Sequence, residues 1–147
     1  MRLQSAIFTL EDTLFTPDGA ARDGLDKALA LFKMEGVWLG AVTALRAEEA
    51  QKALERAGLS SYFRFVLTEQ VALCKVGSAT MFERAMKRLH GQKDDTAVFS
   101  GSLAAIGQAK GAGFRTVAVR GGADEEAWRA MRAEAAQSLE SYSELLG

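Results

Sequence analysis

The spacing of apolar and polar residues along the chain alternates between the period of a strand and the period of a helix. Short apolar runs predict buried strands, and apolar residues three and four positions apart predict amphipathic helices. The predicted strands are Gln4 to Leu10, Val37 to Thr43, Phe63 to Leu67, Thr96 to Phe99 and Arg115 to Arg120, with a short edge strand at Gln137 to Leu139. Nearly continuous apolar strands are typical of a sheet that is covered on both faces.

Helices are predicted in the intervals between these strands. They cover Asp23 to Glu35, Ala47 to Ala57, Met81 to Leu89, Ser102 to Gly111 and Asp124 to Ala135, followed by a last turn at Tyr142 to Leu146. Glycines placed directly after them, such as Gly36 and Gly58, mark helix ends. Strict alternation of strands and helices implies parallel pairing with right-handed crossovers, so the predicted fold is a three-layer α/β sheet.

Size and charge narrow the class of protein. The 147 residues suit one domain. The net charge is -1 and both signs are interspersed, which argues against a nucleic-acid partner and against a polybasic membrane patch. No apolar stretch approaches the roughly 18 residues of a membrane span, and the first residues lack the pattern of a signal peptide.

The chain has one cysteine and one histidine. The single Cys74 excludes an internal disulfide and is typical of a reducing cytoplasm, where we expect the protein to act. A small buried apolar role is the preferred interpretation of Cys74 over a reactive thiol. The single His90 excludes a multi-histidine metal site within one chain and is predicted to lie at the surface, at a helix end.

Polar residues stand at the carboxyl ends of three predicted strands, namely Thr9, Thr43 and Ser100. In open parallel sheets, ligands bind beyond these strand ends, at a switch in strand order. The sequence therefore predicts a functional site at this edge of the sheet.

The stretch IFTLEDTLF, Ile7 to Phe15, resembles the first motif of the haloacid dehalogenase (HAD) superfamily, D-x-D-G-T-L at the end of a first strand. Placing TLF on the end of that motif puts Thr9 at the nucleophilic aspartate and Glu11 at the acid/base aspartate. Asp12 then takes the position of the glycine. The frame of the motif is present, and its reactive carboxylate is replaced.

Three further segments resemble the remaining motifs of the superfamily. GVWLGAVTALR is similar to the second motif and places its hydroxyl at Thr43, and FRFVLTEQVALCKVGSATMF places the family lysine at Lys75. TAVFSGSLAAIGQAKGAGFRTVAV is similar to the fourth motif, where Gly101 and Ala105 replace its two aspartates and Ser102 keeps its serine. SLESYSELLG resembles the terminal strand and helix of the family.

The resemblance implies a single Rossmann-like HAD core over residues 1–147. The implied parallel sheet has about five strands in the order 5-4-1-2-3, with helices on both faces. Only Thr16 to Leu39 lies between the first two motifs, which implies no cap domain.

Phosphoryl transfer at such a site needs an attacking carboxylate, a second acid, and further carboxylates that hold Mg²⁺. The family's catalytic positions are Thr9, Glu11, Gly101 and Ala105 here, and we expect none of them to be functional. No metal or other cofactor is expected, with Mg²⁺ required only if the chain is active. Thr43, Lys75 and Ser102 remain as a hypothetical anion-binding set.

Three functional hypotheses follow from the resemblance. The first is a binding or regulatory pseudoenzyme that has lost Mg²⁺-dependent phosphohydrolase activity, with a protein or an anionic ligand as its partner. The second is a HAD-like phosphatase with a weak or altered mechanism. The third is a structural or homo-oligomer-forming domain without any ligand.

Simpler structural roles are the preferred interpretation of several residues. Glu11 and Asp12 are interpreted as a solvated loop pair, and Thr9 as a strand residue that fills space. Ser102 is interpreted as a helix cap. Trp38 and Trp128 are predicted to lie in the core.

Overall fold

The computed structural model describes residues 3 to 146, which form one six-stranded sheet with helices on both faces. The strands are β1 (Ser5–Thr9), β2 (Trp38–Thr43), β3 (Phe65–Thr68), β4 (Thr96–Ser100), β5 (Arg115–Val119) and β6 (Gln137–Leu139). Their order is β3-β2-β1-β4-β5-β6, and every neighbouring pair is parallel. The predicted order is confirmed, and β6 adds the short edge strand.

Within residues 3 to 146, five helices lie at the predicted positions, and two short helices, Glu11–Leu14 and Glu69–Ala72, were not predicted. The helices are α1 (Glu11–Leu14), α2 (Leu25–Met34), α3 (Ala47–Arg56), α4 (Glu69–Ala72), α5 (Ala79–Arg88), α6 (Leu103–Gly111) and α7 (Glu125–Glu134). The predicted last helical turn, Tyr142–Leu146, is a 3₁₀ helix. Gly36 and Gly58 have positive φ angles of +80° and +74° directly after α2 and α3, the conformation that ends a helix and that glycine adopts without strain.

The core lies on the two faces of the sheet. Ala6 and Phe8 of β1 point to one face, where they pack with α2 and α3, and Ile7 points to the other face, towards α5 and α6. The first face also holds the Phe8–Phe99 ring stack, with centroids 4.5 Å apart. Because both faces are covered, the strands are apolar almost throughout, as the sequence predicts.

The segment between β1 and β2 is short. It contains α1, an antiparallel bridge between Phe15 and Ala21, and α2. No cap domain is inserted there, which confirms that expectation and leaves the carboxyl ends of the strands without a lid from this segment.

The two tryptophans lie in different environments. Trp128 is 2% exposed and packs in a small cluster with Ile106, Ala118 and Met131, as predicted. The prediction that Trp38 is a core residue is wrong, because its side chain is 40% exposed. Trp38 is the first residue of β2. Its ring lies at the amino-terminal end of this strand and stacks against the guanidinium group of Arg64.

Among residues 3 to 146, no helix combines the length and the apolar character needed to cross a membrane.

Candidate functional site

The carboxyl ends of β1, β2 and β4 lie side by side, because β1 pairs with β2 on one side and with β4 on the other. Thr9, Thr43 and Ser100 are the last residues of these strands. A cavity of about 130 Å³ opens beside them. Its lining residues are Thr9, Glu11, Asp12, Val76, Gly77, Ser102 and Ala105. The site thus lies where the strand pattern predicts it.

A chain of hydroxyl groups forms the floor of this site. Thr9 Oγ1 lies 2.7 Å from Thr13 Oγ1 and 2.8 Å from Ser100 Oγ. The N–H of Gly101 donates to Thr13 Oγ1 at 3.0 Å, and the N–H of Ser102 donates to Ser100 Oγ at 3.1 Å. Thr9 is buried, and because its hydroxyl has one proton, it can donate to at most one of these two neighbours and accepts from the other or from both. The residue at the nucleophile position therefore has a structural hydrogen-bonding role.

Glu11 contacts the end of β2. The hydroxyl of Thr43 donates to Glu11 Oε1 at 2.7 Å, and the N–H of Ala44 donates to Glu11 Oε2 at 2.9 Å. The interpretation of Glu11 as one of a solvated loop pair is therefore wrong: its carboxylate is half-buried and bonded through both oxygens, whereas Asp12 is exposed. A threonine nucleophile would need an adjacent general base, and the carboxylate of Glu11 is not free to act as one for Thr9.

Gly101 lies against the main chain of α1. A Cβ atom at this position would come within 2.5 Å of the carbonyl oxygen of Asp12. Side-chain atoms do not approach main-chain oxygens so closely, so an aspartate here requires a shift of the backbone. The resemblance implies a carboxylate at this position, and the structure has no space for one beside the carbonyl oxygen of Asp12.

The three predicted anion-binding residues are not brought together. Ser102 lines the cavity, and its Oγ accepts the N–H of Ala105 at 3.3 Å, which confirms the predicted cap of α6. The hydroxyl of Thr43 is hydrogen-bonded to the carboxylate of Glu11. Lys75 is exposed and lines a separate surface depression together with Glu69 and Cys74.

The segment after Lys75 is held by local hydrogen bonds. The N–H of Val76 donates to Glu69 Oε2 at 2.6 Å. Ser78 accepts the N–H of Met81 at 3.2 Å and so caps α5. These two bonds fix the turn between Lys75 and α5.

Magnesium does not fit the residues at these strand ends. Mg²⁺ prefers an octahedral set of oxygen ligands that includes carboxylates. Gly101 and Ala105 contribute no side-chain oxygen, and both oxygens of Glu11 are bonded within the protein. Within residues 3 to 146, no three or more His, Cys, Asp and Glu residues are grouped so that they could hold a metal ion.

Sequence reasoning missed the part of Thr13 and Tyr142 in this site. The Tyr142 hydroxyl donates to the carbonyl oxygen of Thr13 at 2.9 Å and is fully buried. Burial raises the pKa of Tyr142 far above its ordinary value, against the opposing charge of Arg22. The threonine of the first motif was a usable signal for Thr13, whereas nothing in the sequence pairs it with Tyr142.

Comparison with known proteins agrees with this fold. Residues 9–119 match the sequence profile described as haloacid dehalogenase-like hydrolase. This range covers more than half of the chain and includes Thr9, Thr43 and Ser102. Among proteins of curated function, none matches the sequence.

Several solved structures are similar. A protein assigned as a beta-phosphoglucomutase from Thermotoga maritima is 22% identical with a TM-score of 0.73, over 86% of this chain and 58% of that chain. A HAD phosphatase from Thermococcus onnurineus is 21% identical with a TM-score of 0.73, over 85% and 56%. The core domain assigned to a phosphoglycolate phosphatase from Streptococcus pneumoniae TIGR4 is 19% identical with a TM-score of 0.63, over 80% of both chains.

The length of the match differs between these structures. This chain spans a little more than half of the first two proteins and most of the third, which is a core domain alone. At these identities the likeness shows the shared fold, a parallel α/β core with the strand order described above. Together with the profile match, it shows that the chain belongs to the haloacid dehalogenase-like hydrolase family.

Proposed function

We propose that this chain is a HAD-like protein without Mg²⁺-dependent phosphohydrolase activity, and that it acts through binding as a regulatory pseudoenzyme. We further propose that it forms one domain over residues 1–147 and acts in the cytoplasm. The observation that carries the proposal is the hydroxyl chain around Thr9, which takes the place of the attacking carboxylate.

Both the nucleophile position and the metal-ligand positions support this proposal. An aspartyl-phosphate cannot form on Thr9, since it has no carboxylate, and its hydroxyl proton lies in the buried chain with Thr13 and Ser100. A metal would lack the two aspartates replaced by Gly101 and Ala105. Loss of the nucleophile from a catalytic unit lowers kcat by several orders of magnitude.

The carboxylate of Glu11 determines what can bind at the strand ends. An external oxyanion at Thr43 and Ala44 must displace Glu11 from two hydrogen bonds of 2.7 and 2.9 Å. Hydrogen bonds to charged groups contribute about 1.5–3 kcal/mol each. Asp12 adds a second negative charge at the cavity, so phosphate is disfavoured there.

The proposal is tested with a chromogenic phosphate ester and Mg²⁺, alongside a HAD phosphatase that contains both motif aspartates. We expect no turnover above the uncatalysed rate. Turnover by the wild-type chain that disappears in both Thr9→Ala and Glu11→Ala variants overturns the proposal. Turnover that survives both substitutions indicates a contaminating phosphatase.

The second candidate function is a phosphatase with a weak or altered mechanism. The names of the similar solved structures favour it, since they include a HAD phosphatase. In this chain it would need Glu11 to leave Thr43 and act as an acid. The same assay decides between the two candidates.

Phosphate binding tests the role of Glu11 separately. Glu11→Ala removes the carboxylate and frees the Thr43 hydroxyl and the Ala44 N–H. We expect phosphate to raise the melting temperature of Glu11→Ala and to leave wild type unchanged, because ligand that binds only the folded state stabilises it. Glu126→Ala, an exposed substitution on α7, is the matched control. An equal shift in wild type contradicts this role of Glu11.

A further inference from the structure

A second cavity lies at the amino-terminal end of β2, whereas Thr43 lies at the carboxyl end of the same strand. Its volume is about 490 Å³, within the range of small-molecule sites, roughly 300–1,000 Å³. Aromatic walls come from Trp38, Tyr62 and Phe63, and cationic groups come from Lys33 and Arg64. The cavity shares no lining residue with the site at the carboxyl ends of the strands.

Trp38 and Arg64 form a stacked pair in this cavity. The guanidinium carbon of Arg64 lies 3.7 Å from the centroid of the Trp38 ring. Stacking on an aromatic face orients a guanidinium group and leaves its N–H edge available for a planar oxyanion. Trp38 is 40% exposed, so the stacked pair is accessible from solvent.

The two cations of the cavity lack acidic partners. Among residues 3 to 146, no carboxylate forms an ion pair with Lys33 or Arg64. Lys33 Nζ lies 6.0 Å from the centroid of the Tyr62 ring. The Tyr62 hydroxyl donates to Asp26 Oδ1 at 2.9 Å, which fixes that ring and engages the neighbouring carboxylate. The cavity thus presents positive charge beside aromatic surface.

We propose that this cavity binds a small aromatic molecule that carries an oxyanion, either a phosphate or a carboxylate. The aromatic ring packs against Tyr62 and the Arg64–Trp38 stack, and the oxyanion accepts hydrogen bonds from Arg64 and Lys33. Charge-assisted bonds to guanidinium and ammonium groups are the strong ones, and the aromatic contacts select for a flat apolar body. This proposal does not depend on the loss of phosphatase activity.

Tryptophan fluorescence provides a direct test. The chain has two tryptophans, so Trp128→Phe leaves Trp38 as the only one. We expect a saturable change in Trp38 fluorescence with phenyl phosphate or benzoate, and none with benzyl alcohol or inorganic phosphate at the same concentration. Comparing the affinity for phenyl phosphate with that for benzoate shows whether the cavity prefers a phosphate or a carboxylate. Because Trp128 is buried, calorimetric titration of the unmodified chain is the second measurement.

Charge variants show whether binding occurs in this cavity. Arg64→Gln or Lys33→Gln should weaken binding by about tenfold or more. Arg129→Gln, an exposed substitution on α7 that also removes one positive charge, should leave it unchanged. The proposal is overturned by the absence of saturable binding, or by binding that Arg64→Gln does not change. It is also overturned if Trp38 fluorescence depends on protein concentration alone, since a second copy then occupies the cavity.

Discussion

The hydroxyl chain around Thr9 predicts a measurable loss of stability in Thr9→Val. Valine has nearly the same shape as threonine, so the substitution removes the hydroxyl with little change in packing volume. Two hydrogen bonds are lost, of 2.7 Å to Thr13 and 2.8 Å to Ser100. A net contribution of about 0.5–1.5 kcal/mol for each bond gives a decrease of about 1–3 kcal/mol in the free energy of unfolding.

The decrease is measured by urea denaturation and by the melting temperature. For a chain of this size, 1 kcal/mol corresponds to about 2–4 °C, so a loss near 2 kcal/mol lowers the melting temperature by about 4–8 °C. Thr9→Ser, which keeps the hydroxyl, serves as the control and should lose only the methyl contribution of about 0.8 kcal/mol.

A double-mutant cycle isolates the hydrogen bond between Thr9 and Ser100. Residues that share a hydrogen-bonding network show interaction energies of about 0.5–3 kcal/mol. If the effects of Thr9→Val and Ser100→Ala add within about 0.3 kcal/mol, the hydroxyls do not interact in solution. The structural role assigned to Thr9 is then refuted.

Three further predictions concern the same region. Gly101→Ala should lower the free energy of unfolding by about 1–3 kcal/mol, because its methyl group would meet the carbonyl oxygen of Asp12 at 2.5 Å; a neutral result in urea denaturation contradicts this close approach. Tyr142→Phe should lower the free energy of unfolding by about 1–3 kcal/mol, because the buried carbonyl of Thr13 loses its hydrogen bond from Tyr142. Since the pKa of Tyr142 is raised above its ordinary value of 10.0, wild type should lose stability as the pH rises beyond that value, and Tyr142→Phe should lose less. Mg²⁺ at millimolar concentration should leave the melting temperature of wild type unchanged, and an increase that EDTA reverses contradicts the absence of a metal site.

The strand order was predictable from the resemblance to known motifs, whereas strict alternation of strands and helices predicted only parallel pairing. The cap of α6 by Ser102 was predictable because it depends on neighbours three residues away. Trp38 was placed wrongly, since an apolar residue in a strand pattern does not show where the sheet ends. Leu39 and Ala41 face α2 and α3 and Val42 faces α5, so alternation along β2 places Trp38 on the α5 face, at the first residue of the strand, where it is left partly exposed.

The candidate site was predictable in its position and less so in its contacts. The strand ends identified Thr9 and Thr43. The bonds of Glu11 to Thr43 and Ala44 depend on how α1 packs beside β2, which local patterns do not specify. The exposure of Lys75 depends on the turn that Glu69 holds through the N–H of Val76. The first two contacts join residues more than 30 positions apart and the third joins residues seven apart, and no strand or helix periodicity encodes any of them.

The close approach of Asp12 to Gly101 also has a consequence for redesign of this chain. Because the main chain of α1 fills the space beside Gly101, an aspartate cannot be installed there by one substitution without displacing the backbone. A design that aims to place a carboxylate at this strand end therefore has to remodel α1 together with Gly101, and a change at either position alone is incomplete.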